Sequence, residues 1–251
     1  MGILDNAAEV LRCFGHGCSE VTVTEVSNRL GLPKASASRL LRAMRDAGML
    51  ETIGATRRHR PGKMMLDLAA AFRQSSSLIG RASEVVAAAV RRFGHTGYVS
   101  LRDGREVTAV ADFEGTNALR VVSNIGRRLD AHKSSTGRVL LARLPEDEVT
   151  SLYAGDPNLE RLVAELARVR AQGFAFSEQE STPGVDAVAV AVGDPATEEA
   201  VALCIVYPHT QADEAARAEM VAALGAGGKE IADTLGDPGF VPPKLHIGSS
   251  Q

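Results

Sequence analysis

Apolar residues recur every three to four positions over most of the first seventy residues, and this spacing predicts a run of short helices. Residues 5–14 place Ala8, Leu11 and Phe14 on one face, and Gly15 and Gly17 close the segment. Thr22-Val23-Thr24-Glu25 is a capping-box pattern that opens a second helix through Val26 and Leu30, stopped by Gly31. Pro33 suits a first helical turn and restarts the chain. The third helix runs to about Ala47, with Gly48 as its stop. Only Gly31-Leu32-Pro33 joins helices two and three, the tight connection of a helix-turn-helix. Two short extended segments follow, Met49–Ile53 and Arg57–Arg60, around Gly54-Ala55-Thr56, which is a hairpin signal.

The pattern then changes. Residues 63–73 are helical, with Met64, Leu68 and Phe72 in step, and Gln74-Ser75-Ser76-Ser77 is a small, polar joint. Beyond it, Leu78–Phe93 is a helix and Gly97–Leu101, Glu106–Phe113 and Leu119–Ser123 are strands, with Asp103-Gly104 as a hairpin turn. Residues 135–144, 146–153 and 159–172 are helical. Strands at Phe174–Phe176, Val185–Val192 and Val201–Tyr207 follow, then a closing helix from Ala212 to Leu235. Strands grouped at both ends of a helical middle predict an α+β sheet domain. The expected organisation is a winged helix-turn-helix at 1–62, a linker helix and joint at 63–77, a sheet domain at 78–235 and a flexible, proline-containing tail at 236–251.

The third helix carries the chemistry. Ala37, Leu40, Leu41 and Met44 form an apolar back, and Arg39 and Arg42 point away from it. Ser36 and Ser38 flank that outer face, and Lys34 stands at the N-terminus. A helix lying in the major groove needs this layout, because Arg can grip guanine bidentately while Lys and Ser anchor phosphates. A solvated amphipathic helix has the same pattern, so the helix alone does not decide. The hairpin that follows ends in Arg57-Arg58-His59-Arg60, and a basic wing beside a recognition helix meets neighbouring phosphates. Double-stranded DNA is the expected partner.

Charge agrees with that division. Residues 1–65 hold ten Lys and Arg against six Asp and Glu, whereas the remainder holds 18 against 25. Only the small part is built to meet a polyanion. Three cysteines make no framework for a secreted fold, the first residues carry Asp5, Glu9 and Arg12 rather than a leader pattern, and no apolar run is long enough for a membrane span. A cytoplasmic protein without a membrane partner is expected. Cys13-x-x-His16-x-Cys18 lacks a second ligand pair at zinc spacing, so no metal or cofactor is expected. A redox switch through Cys13 and Cys18 stays open as one alternative, as does DNA binding without any small-molecule control. An enzyme is not expected, because no nucleophile elbow, phosphate loop or dinucleotide fingerprint is present and Cys204 sits in the apolar strand Ala202–Val206.

Leu30-Gly31-Leu32-Pro33-Lys34-Ala35-Ser36-Ala37-Ser38-Arg39-Leu40-Leu41, with Asp46-Ala47-Gly48-Met49-Leu50 after it, closely resembles the IclR family of bacterial transcription regulators. Ser135-Thr136-Gly137-Arg138-Val139-Leu140-Leu141-Ala142 matches the family's helix start in the second domain. Gln172-Gly173-Phe174-Ala175, Glu180 and Gly184-Val185 match its later block. The resemblance covers about residues 5–235. It departs at the wing, which ends His59-Arg60-Pro61-Gly62, and since Pro61 cannot donate to a ladder a shorter or kinked wing is expected.

The resemblance implies a GAF-like effector domain and self-association as a dimer or dimer of dimers, which would place two recognition helices on one duplex face. It also implies an effector pocket at the helix start Ser135-Thr136-Gly137. Read from the residues alone, that start is either an anion site or a helix capped by Ser134 or Ser135. Matched motif by motif, positions often acidic, Cys and Ser-x-Ser in relatives that sense small oxoacids are Ser177, Ala187 and Cys204-Ile205-Val206 here. These changes remove hydrogen-bonding groups and add apolar wall, so the implied effector is a larger, partly apolar or aromatic carboxylic acid with its anionic end near the amides of Thr136 and Gly137.

Overall fold

In the computed structural model, which describes residues 2–14, 18–121 and 128–245, the capping box at Thr22 forms as the sequence predicts. Its hydroxyl accepts from the Glu25 amide, and the Glu25 carboxylate accepts from the Thr22 amide at 2.7 Å. These contacts hold the Glu25 carboxyl below its usual range, the Thr22 backbone N–H being the larger cause. Helix α2 (Val23–Leu30) ends at Gly31, which takes the left-handed conformation at φ 65°. Ser27 donates across the turn to the Leu32 carbonyl at 2.7 Å, and α3 (Lys34–Asp46) starts directly after Pro33.

The chain divides into two units, Met1–Ser75 and Ser76–Gln251. In the first, α1 (Ile3–Arg12), α2 and α3 share one core of Val10, Cys13, Val26, Ala37, Leu41 and Met44 with Val21 and Leu50. The inward face of α1 is therefore led by Val10 and Cys13, with Leu11 and Phe14 beside them, and not by Ala8. The glycines expected to close it, Gly15 and Gly17, lie outside the described residues. Three short strands, β1 (Val21–Thr22), β2 (Leu50–Thr52) and β3 (Arg58–Pro61), form a sheet in the order β1-β3-β2. Strand β1 was not expected; it is two residues long, below any periodic signal.

The wing is not cut short by Pro61. The β2–β3 ladder pairs Leu50 with Pro61, and the hydrogen bonds on either side come from Gly62 N to Met49 O and from Ile53 N to Arg58 O. Pro61 thus occupies a non-hydrogen-bonded pair, and its missing donor would face β1, which pairs with His59 and Arg58. Helix α4 (Lys63–Ser75) closes the unit with no buried residue at all.

In the second unit six strands form one antiparallel sheet in the order β6-β5-β4-β9-β8-β7. They are β4 (Thr96–Asp103), β5 (Glu106–Phe113), β6 (Arg128–Asp130), β7 (Ala175–Glu178), β8 (Val185–Asp194) and β9 (Glu199–Pro208). Alternation along β8 and β9 explains the two layers. Val188, Val190, Val192, Leu203 and Ile205 face α5 (Ser77–Phe93) and α9 (Glu214–Leu235). Ala187, Ala189, Ala202 and Cys204 face α6 (Ser135–Leu141), α7 (Glu146–Leu152) and α8 (Leu159–Gln172). One face is tiled with branched side chains and the other with small ones, so α6 lies close over a floor of alanines.

Two expectations fail here. The strand read at 119–123 does not form over Leu119–Val121, and the rest of it lies outside the described residues. After β5 the chain turns back to cap α5: the amides of Thr116 and Asn117 donate to Gly94 O, and Asn117 Nδ2 donates to Phe93 O. The edge beside β5 is taken by β6, where Arg128 reaches both Asp103 and Glu106, at 3.0 and 2.9 Å. The second failure is the tail. Residues 236–245 are packed, not loose, while 246–251 lie outside the described residues. Asp237 is buried; it accepts from Arg143 Nη2 at 2.7 Å, from Gly193 N at 2.7 Å and from Gly239 N at 3.0 Å. The tail continues over three glycines where a Cβ would collide with it, Gly173 against Val241, Gly225 against Pro243 and Gly228 against Phe240.

Candidate nucleic-acid interface and effector pocket

Helix α3 buries Ala37, Leu40, Leu41 and Met44, the apolar back read from the sequence. Lys34, Arg39 and Arg42 are exposed on the outer side, and Ser36 and Ser38 are half-buried. Arg39 Nη2 lies 3.4 Å from Ser36 Oγ, a long contact that leaves the guanidinium available. The outer face is thus a row of donors on a rigid helix whose back is fixed by the core, the arrangement that base-edge reading requires.

The wing is more constrained than the sequence suggests. Arg58 pairs with Glu20 at 3.4 Å and Arg60 with Glu51 at 3.1 Å. Among the described residues Arg57, at the hairpin tip, forms no ion pair. Pairs this exposed are weak and exchange readily for phosphate. His59 does not belong to the cationic surface. Alternation along β3 turns it inward, where burial first and Arg45 second lower its pKa, so it is neutral near pH 7. Its neighbours Arg58 and Arg60 point out.

In the second unit, strand register brings the expected pocket residues together. Ser177 pairs with Ala187, Ala187 with Val206, and Val206 with Thr96, giving one row across four strands. The adjacent row is Ala175, Ala189, Cys204 and Tyr98. Both rows lie on the α6 side of the sheet, and α6 contacts β4, β7, β8 and β9. Thr96 was not singled out in the sequence. It is fully buried, donates to Val121 O at 2.5 Å and accepts from Gly115 N at 3.1 Å.

The helix start itself resolves toward a cap. Ser134 Oγ accepts from the Gly137 amide at 3.1 Å, and Thr136 Oγ1 lies 3.3 Å from Ser134 Oγ. A Cβ at Gly137 would stand 2.1 Å from Ala131 O, so this glycine serves close packing. The Gly137 amide is engaged and is not a donor for a ligand. Ser135, also buried, hydrogen-bonds Cys204 and lowers its thiol pKa slightly, but burial dominates and pushes it up to about 12. Cys204 therefore stays a protonated, unreactive thiol at any physiological pH. Cys13 is buried and raised in the same way, with no disulfide to Cys18. His16 lies outside the described residues.

A residue that spacing could not flag holds this end of the domain together. Arg138, buried on α6, forms a bidentate pair with Glu180 at 2.6 and 3.1 Å and donates to Phe176 O at 2.6 Å. It fixes the β7 end of the Ser177 row against α6.

Residues 71–233 match the profile of the IclR C-terminal domain of bacterial transcriptional regulators, and residues 3–54 match the IclR helix-turn-helix domain. The HTH-type transcriptional regulator XynR of Escherichia coli is 28% identical over 94% of this chain and 97% of its own length. The acetate operon repressor of Salmonella typhimurium is 25% identical over 91% of this chain and 88% of its own. Among solved structures, an IclR-type regulator from Silicibacter superposes with a TM-score of 0.84 at 24% identity, covering 96% of this chain and all of that one. An IclR homologue from Microbacterium hydrocarbonoxydans, solved in complex with 4-hydroxybenzoate, gives 0.76 at 22% identity over 93% of this chain and 99% of its own. Winged N-terminal unit, six-stranded α/β unit and profile matches coincide: the chain belongs to the IclR family of DNA-binding bacterial transcription regulators, and it is not an enzyme.

Proposed function

We propose that operator binding by residues 1–62 is controlled by a partly apolar or aromatic carboxylic acid that binds the sheet domain at 78–235, through the linker helix and joint at 63–77. The observation that carries the reading is the row Ser177–Ala187–Val206–Thr96 beneath α6. Its centre, Ala187 and Val206, has no hydrogen-bonding side chain, so a compact, strongly hydrated acid would lose its water there without replacement. An aromatic ring covering the same wall gains about 25 cal/mol per Å². The polar end is met by the Ser177 hydroxyl at the edge, because Ser134 already holds the Gly137 amide and Ser135 is engaged with Cys204. The relative solved with 4-hydroxybenzoate supports an aromatic acid as the class. Calorimetric titration with 4-hydroxybenzoate, benzoate, glyoxylate and pyruvate tests it. The aromatic acids should bind and Val206→Asp should abolish that binding; tight binding of glyoxylate or pyruvate with no aromatic response overturns it.

The same reading requires self-association. Met64, Leu66, Leu68 and Phe72 on α4 are all exposed, beside Asp67 and Arg73. A single small wing makes few phosphate contacts, so affinity must come from two copies on one operator. The full-length protein should scatter light as a dimer or dimer of dimers. Because Leu68 and Phe72 are exposed and no residue of α4 is fully buried, the double variant Leu68→Glu, Phe72→Glu should stay folded, lose mass by half or more and lose operator affinity. A wild-type monomer with full operator affinity contradicts this.

A further inference from the structure

We propose that the cleft roofed by the C-terminal segment, between α6, α8 and β8, is a second ligand site, separate from the Ser177–Val206 row, that takes a monocarboxylate with an aliphatic body. The cleft has a volume of about 450 Å³, within the range of small-molecule sites. Val139, Leu144, Val169, Ala191 and Val241 supply an apolar lining, and its two charged groups are both guanidinium ions, Arg143 and Arg170. No carboxylate lines it. Asp237 offsets one of the two charges from behind, through Arg143 Nη2.

Both arginines are held rigidly with donors to spare. Arg170 donates from Nε to Ala142 O at 2.8 Å and from Nη2 to Leu144 O at 2.9 Å, which fixes its plane and uses two of its five N–H groups. Arg143 Nη2 is wedged between Gly193 and Gly239, where a Cβ would stand 2.5 and 3.1 Å away. Its Nη1 is buried and has no hydrogen-bond partner among the described residues. A buried cationic donor left unsatisfied is costly, and an acceptor brought by a ligand relieves that cost. A carboxylate answers the uncompensated charge of Arg170 and its spare donors directly, and the Arg143 Nη1 donor once that side chain shifts toward it, while an alkyl chain covers Val139, Val169 and Ala191. None of Ser177, Ala187, Cys204 or Val206 lines this cleft, and Val241 belongs to the segment that Asp237 anchors.

Octanoate is the probe, titrated calorimetrically into the full-length protein, with n-octanol as the uncharged counterpart. Octanoate should bind, and octanol at least tenfold more weakly. Ala191→Met, which grows into the cleft from the sheet, should weaken octanoate at least tenfold. Val241→Glu should do the same through charge, from a half-buried position on the tail, and serves if the methionine disturbs the sheet. Val206→Asp, which alters the other row, should leave octanoate affinity within twofold. The proposal fails if octanoate does not bind at millimolar concentration, if octanol binds equally well, or if Val206→Asp removes binding that Ala191→Met and Val241→Glu both leave intact.

Discussion

Asp237→Ala should lower the unfolding free energy of the second unit by about 3–5 kcal/mol, the cost of removing one partner from a buried charge pair. Asp237 is nearly inaccessible and collects three donors, Arg143 Nη2 and the amides of Gly193 and Gly239. Alanine would leave the arginine charge uncompensated and the Gly193 amide buried without a partner. The loss should reach beyond the tail, because Arg143 follows α6 and Gly193 lies on β8, so the residue ties a helix and a strand to the chain end. Asp237→Asn keeps acceptor capacity and should cost less. Urea unfolding followed by circular dichroism measures both; a midpoint for the alanine variant equal to wild type would show that residues 236–245 are dispensable to the domain.

Arg39→Ala and Arg42→Ala should each weaken binding to a specific operator by about 1–3 kcal/mol, or roughly 5- to 150-fold, and relax base choice at one position per half-site. Both side chains project from α3 opposite its buried face, so neither change removes core contacts. Arg57→Ala should act differently. If it meets phosphate from the tip of the wing, its loss should weaken all sequences alike and reduce the salt slope by about one. Arg58 and Arg60 must first leave Glu20 and Glu51, so their substitution should cost less than that of Arg57. Footprints at matched salt distinguish these outcomes. Base preference unchanged in both α3 variants would mean that this face does not read DNA.

The winged unit was largely legible because its signals are local. A capping box, a left-handed glycine and a four-residue apolar back each fix their element within a few positions, and they agree with one another. Non-local signals were not legible. Strand β6 is placed by its ladder to Glu106–Thr108 on β5, with Arg128 reaching Asp103 and Glu106, 25 and 22 residues away, and no periodicity records such partners. The wing run Arg57–Arg60 looked uniformly basic until alternation turned His59 inward. The prolines of the tail suggest a loose end, although Gly225-Ala226-Gly227-Gly228 inside a long helix is a usable sign to the contrary: glycines there cost helix stability and imply close approach of another backbone or side chain. For Ser177, Ala187 and Val206 the residue types could be read, but their common row depends on register, which only the sheet supplies.

Operator titration by fluorescence anisotropy decides whether a bound acid controls DNA binding. A duplex selected from random sequence by the wild-type protein is titrated at fixed salt, with and without saturating 4-hydroxybenzoate or the best-binding aromatic acid. The acid should change the operator Kd by at least fivefold in the wild type. In Val206→Asp, operator affinity without acid should match wild type and the response should vanish. An operator Kd that stays constant while calorimetry shows the acid bound would contradict the account.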